Sequence, residues 1–163
     1  VMLQAKLNPL SEEQGKQICS WRYPDPYDVY NWPSWEQMNR NQEEFADPVL
    51  RQKQYYAYMD ENDELLGYAQ FFPLQGVTRI GLGLRPDLCN QGIGANFIRV
   101  LIEAAKERNP QNEIDLEVAT WNVRAYKVYE RVGFVHTDTY ERPARGSVTQ
   151  VHCMVYDPNP NQI

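Results

Sequence analysis

No stretch of this sequence stays apolar long enough to cross a bilayer. The segment from Phe97 to Ile102 already contains Arg99 and is closed by Glu103, far short of the roughly 20 apolar residues a spanning helix needs. Membrane insertion is therefore not expected. Cysteine is scarce: Cys19, Cys89 and Cys153 are odd in number and none shares a C-x-x-C spacing, which excludes a disulfide scaffold and a zinc knot and predicts reduced thiols. Histidine is represented only by His136 and His152. Basic residues are outnumbered, 16 Lys and Arg against 22 Asp and Glu, for a formal charge of -6, so the clustered cations that grip nucleic acid are missing. A cationic partner suits that balance better. The sequence has no Gly-Lys-Ser/Thr and no three-glycine G-x-G-x-x-G, which removes the P-loop and dinucleotide fingerprints. The stretch from Val1 to Leu10 has neither a basic start nor an unbroken apolar run, so no secretory signal is expected and a cytoplasmic location follows.

What is present is ordinary for a globular protein. With 163 residues, 42% hydrophobic and 23% charged, the chain is long enough to bury one core, and a single domain over 1–163 is expected. Leu3 to Leu7 reads as a short strand. Ser11 with Gln14 three residues on forms a capping box that starts a helix running to about Ser20. From Trp21 to Trp35 six aromatic residues alternate with Pro24, Pro26 and Pro33, which predicts turns and then short helices through about Phe45. After Pro48 the pattern becomes extended. Gln54–Met59 and Leu65–Leu74, separated by Asp60-Glu61-Asn62-Asp63, predict a hairpin, and Val77–Leu84 a third strand. A helix from about Gly92 to Arg108 follows, with Ile93, Phe97, Leu101 and Ala104 on one face. Then come a strand at Ile114–Ala119, a helix at Asn122–Val132 stopped by Gly133, and strands at Phe134–Tyr140 and near Val148–Tyr156. Antiparallel strands, then a strand-helix-strand unit, then a helix and closing strands describe an α+β class.

The first chemical signal lies between a strand and a helix, at Arg85-Pro86-Asp87-Leu88-Cys89-Asn90-Gln91-Gly92-Ile93-Gly94-Ala95. A helix start carries unpaired N–H groups and partial positive charge, and Gly92 and Gly94 let a diphosphate approach the backbone without any Lys. Read alone, the same two glycines also fit a tight turn with close helix packing. Cys89-Asn90-Gln91-Gly92-Ile93-Gly94 resembles the coenzyme A loop of the GNAT acyltransferases, Arg/Gln-x-x-Gly-x-Gly/Ala, with Cys89 in the place of the usual Arg or Gln. Downstream, the segment from Asn122 to Phe134 resembles that family's Asn-x-x-Ala-x-x-x-Tyr-x-x-x-Gly-Phe at every named position.

The resemblance covers about Val77 to Tyr140 and implies a GNAT fold, a mixed, mostly antiparallel twisted sheet of about seven strands flanked by helices. It implies acetyl-CoA as cofactor, held by backbone amides from Gln91, Gly92, Ile93, Gly94 and Ala95, with the pantetheine arm paired to Leu82, Gly83 and Leu84 and with Asn122 as a further cofactor-binding residue. It implies that Tyr129 protonates the departing thiolate. Phenol and thiol differ by only about two pKa units, so the transfer is uphill by roughly 2 to 3 kcal/mol. Along Ile114–Ala119, Asp115 and Glu117 share the face opposite Ile114, Leu116 and Val118. Asp115 is expected to be solvated. Leu116-Glu117-Val118 resembles the strand of RimI-type N-acetyltransferases whose Glu serves as general base. A base is wanted because an amine attacks only when neutral: at pH 7 an α-amino group costs about 1.4 kcal/mol to deprotonate and a Lys about 4.6 kcal/mol.

The family also places the acceptor near the first helices, here the aromatic stretch, so Tyr27, Tyr30 and Trp32 are candidate acceptor contacts, with Asp25 and Asp28 adding charge. The implied reaction is acetyl transfer to a primary amine, whether a peptide N-terminus, Lys or a small, cationic amine, by a monomer or homodimer without nucleic acid or metal. The alternative is a non-catalytic acyl-CoA-binding or sensing domain.

Overall fold

The computed structural model describes residues 5–144 and 146–159. The elements run β1 (Ala5–Pro9), α1 (Glu12–Ser20), α2 (Trp35–Asn41), α3 (Pro48–Gln54), β2 (Tyr55–Asp60), β3 (Leu65–Leu74), β4 (Val77–Leu84), α4 (Gly94–Arg108), β5 (Glu113–Ala119), α5 (Val123–Val132), β6 (Phe134–Ala144) and β7 (Ser147–Tyr156). Residues 3 and 4 of the expected first strand lie outside the described residues. The seven strands follow the order β1-β2-β3-β4-β5-β7-β6, so the chain is α+β with a mixed sheet, the fold class expected. None of the described helices is long and apolar enough to cross a membrane. The chain divides into two compact units, Val1–Gln70 with Leu82–Gln91, and Phe71–Gly81 with Gly92–Ile163.

The first unit begins with the capping box as expected: Ser11 accepts from the Gln14 amide and Gln14 returns a bond to the Ser11 amide, at 3.1 and 2.9 Å. The proline-rich stretch forms a short 3-10 turn at Tyr27–Tyr30 and then α2. One expectation is corrected here. Residues after Pro48 do not turn extended at once; Pro48–Gln54 is helical, because Asp47 caps the Val49 amide at 3.0 Å and Pro48 sits at the first helical turn, where its missing N–H costs nothing. The core of this unit gathers Ile18, Met38, Phe45, Tyr55 and Ala57, all essentially inaccessible, with Trp32, Trp35 and Tyr68 packed against them.

The second unit is built around β5. Its ladder with β4 is parallel and covers Val77–Arg79 against Glu113–Asp115; on its other edge it pairs antiparallel with β7 from Asp115 to Ala119. Helix α4 buries Phe97, Ile98, Leu101, Ile102 and Ala105, at the spacing of a single helical face. β6 runs longer than expected, to Ala144, and its ladder with β7 shifts register between His136 and Asp138. That bulge advances the alternation by one residue, so Tyr140 lies opposite Val151 and Asp138 opposite Cys153, while Thr139 faces His152.

Candidate active site

Helix α4 starts two residues later than expected, at Gly94, with Ile93 at the cap position and no side chain capping it. Ahead of it Asn90 and Gly92 take φ of 64° and 79°. This left-handed backbone is why Gly92 is glycine, since a Cβ there would meet open space yet remain strained. At Gly94 a Cβ would make only an ordinary contact with Val128 of α5, at 3.8 Å. A turn with unpaired amides and the positive end of a fifteen-residue helix fits a diphosphate.

Helix α5 begins differently. The Asn122 side chain is buried, and its amide oxygen accepts from the Ala125 N–H at 3.2 Å, closing the cap. Seven residues on, Tyr129 is half-buried with its ring edge-on to Phe134 at 6.1 Å. Gly133 ends the helix at φ 122°, its amide bonding the carbonyls of Tyr129 and Glu130.

Glu117 is the hub of an ionic network on the face of β5 opposite the buried Leu116 and Val118. Its Oε2 accepts from the Tyr140 hydroxyl and lies 3.3 Å from Arg79 Nη1, while its Oε1 lies 3.1 Å from Arg142 Nε. Asp115, expected to be solvated, is instead buried and held by a two-pronged bond from Arg79, Nε to Oδ1 and Nη2 to Oδ2, both 3.0 Å. The reason is geometric: Arg79 pairs with Asp115 in the parallel ladder, so its guanidinium extends over both carboxylates. Bonding to Asp115, offset in part by burial, raises the Arg79 pKa and keeps it charged. Burial and the Glu117 carboxylate raise the Tyr140 phenol. Cys153 Sγ sits 3.5 Å from Asp115, and burial raises its thiol as well. Arg79, Tyr140 and Arg142 were missed by the sequence reading. Arg79 carried a signal in the strand alternation, whereas Tyr140 and Arg142, two residues apart on β6, reach Glu117 only because of the bulge.

In the first unit the candidate acceptor residues separate. Trp32 is packed inward, its indole N–H donating to Tyr68 Oη at 3.1 Å and its ring edge-on to Phe45 at 5.0 Å. Tyr27 and Tyr30 lie on the 3-10 turn, Tyr30 being exposed. Tyr23 donates to the Leu84 carbonyl at 2.7 Å, and burial raises its pKa. Gly83 is required by packing, since a Cβ there would fall 2.3 Å from the Tyr68 ring. Leu82–Leu84 take no part in the β4–β5 ladder, which ends at Arg79. Cys89 is half-buried, with Sγ 3.8 Å from the Arg85 carbonyl, and all three cysteines are free thiols.

A family model described as the acetyltransferase (GNAT) family matches residues 16–134. No curated protein sequence matches the chain significantly. Among solved structures, spermidine N-acetyltransferase from Vibrio cholerae in complex with CoA and spermine superimposes with a TM-score of 0.76 at 16% identity, covering 93% of this chain and 94% of that one. A chimera of the Vibrio cholerae enzyme and hSSAT gives 0.75 at 16% identity, covering 96% of each chain. A dodecameric structure of the Vibrio cholerae enzyme gives 0.72 at 16% identity, covering 96% of this chain and 95% of that one. At such identities these likenesses carry the fold.

Proposed function

Because the chain belongs to the GNAT acetyltransferase family and is an acetyl-CoA-dependent N-acetyltransferase, we propose that it acetylates a small cationic primary amine by direct transfer, with Glu117 and Tyr129 as its acid-base pair. The observation that carries this reading is the uncapped start of α4, next to a glycine whose Cβ would meet nothing. Acetyl-CoA supplies an acetyl thioester there. The amides of Gly92, Ile93, Gly94 and Ala95 bind its diphosphate, joined by that of Gln91 from the same loop. Leu82, Gly83 and Leu84 offer strand backbone to the pantetheine arm. Asn122 fixes the start of α5 and with it the direction of Tyr129, whose hydroxyl holds the proton for the leaving sulfur.

Glu117 receives the amine. Its Oε2 is committed to Arg79 and Tyr140, so Oε1 is the atom that meets an incoming ammonium and draws its proton through water. A positioned base contributes about 10²- to 10⁴-fold, which offsets the cost of deprotonating an amine near pKa 10. In the first unit Tyr30 is exposed and offers its ring face to a cation, whereas Trp32 packs inward against Phe45 and Tyr68. The polyamine in the neighbour's structure belongs to that protein, but its chemistry suits this chain's formal charge of -6.

The test is release of free thiol from acetyl-CoA with a panel of peptide N-termini, a Lys peptide, an aminoglycoside, diamines and spermidine. Saturable, amine-dependent release greatest with polycationic amines is expected. Coenzyme A binding without thiol release for any amine would sink the reading.

A further inference from the structure

Two arginines touch Glu117, and they are not equivalent. Arg79 is mostly buried, its side chain 19% exposed, and is tied to Asp115 by two bonds before it reaches Glu117. Arg142 is 51% exposed and, among the described residues, makes a single ion pair, through Nε to Glu117 Oε1 at 3.1 Å. Arg142 is held by one ion pair with its head half in solvent, so of the two arginines it is the more readily exchanged for another cation. Removing Arg79 instead would strand the buried Asp115.

We propose that Arg142 is a resident counter-cation, occupying the ammonium subsite of Glu117 until the acceptor displaces it. This rests on the assignment of Glu117 as the group that meets the amine. With Arg142 in place the cluster is neutral, Arg79 and Arg142 against Asp115 and Glu117. With Arg142 swung into solvent, one negative charge is left uncompensated on a carboxylate only 15% exposed. A compact ammonium restores the balance and donates to the same oxygen. A neutral or anionic acceptor does neither, so the displacement itself selects for cations. Position on the hairpin suits the role: Arg142 lies two residues from the end of β6 and pairs with Thr149 of β7, and its long side chain swings without moving the strand.

The inference is tested on wild type, Arg142→Gln and Arg142→Lys, measuring calorimetric binding of 1,4-diaminobutane to the protein without acetyl-CoA, and thiol-release kinetics in parallel. Arg142→Gln is expected to tighten diamine binding about three- to tenfold and lower KM by the same factor, with kcat within about twofold. Arg142→Lys, which keeps the cation, is expected to stay close to wild type, and Glu117→Gln to lose diamine binding in either background. Unchanged binding in Arg142→Gln overturns the proposal, and weakened binding overturns it in favour of Arg142 as a direct acceptor contact. Tightened diamine binding with no thiol release would leave the subsite standing while removing the transfer reaction.

Discussion

The two helices of the second unit start in opposite ways. α5 closes its own first turn with the buried Asn122 side chain, whereas α4 starts behind Ile93, a residue with nothing to donate to or accept from its amides. Both follow a strand, so position in the chain does not explain the contrast. The difference is in where each helix finds its hydrogen bonds: α5 finds one in its own cap side chain, and the first amides of α4 are offered none by the side chain at its cap.

Four substitutions break or sharpen that contrast. Making the α4 start resemble that of α5, by Ile93→Asp, supplies a cap but sets a carboxylate against the diphosphate; coenzyme A affinity should fall about a hundredfold, read by calorimetry, without loss of apo melting temperature. Tyr129→Phe, two turns beyond the closed cap, should lower kcat by about ten- to a hundredfold while the coenzyme A Kd stays within about twofold, seen in steady-state kinetics beside calorimetry. Gly92→Ala forces a side chain into φ 79° and should cost about 1–2 kcal/mol of stability, with weaker coenzyme A binding, measured by urea denaturation and titration. Asn122→Ala opens the α5 cap and should cost about 1 kcal/mol in the same denaturation assay, with a smaller loss of coenzyme A affinity than Gly92→Ala.

Much of the fold was legible before any coordinates. The capping box at Ser11, the hairpin at Asp60–Asp63, the glycine stop at Gly133 and the helical face through Phe97 and Leu101 are all local signals, and the structure carries each of them. Helix α3 is hidden in the local pattern because a proline reads equally as a break and as the first residue of a helix capped by Asp47. The start of α4 and its unpaired amides were anticipated from Gly92 and Gly94, though the helix begins two residues later, behind Ile93. Asp115 was misjudged for a different reason. Strand alternation places it on a face, and only the parallel register with Arg79 decides whether that face is wet.

By itself the sequence determined the order of elements, the glycine turn before α4, and the family to which the Asn122–Phe134 segment points, because caps, turns and helical periods are written within a few residues of one another. Tertiary structure alone decided the company Glu117 keeps. Arg79, Tyr140 and Arg142 come from three places on two other strands, and it takes a parallel register on one side and a β-bulge on the other to bring their donor groups onto one carboxylate. Such pairings depend on contacts between distant residues, which no local pattern encodes.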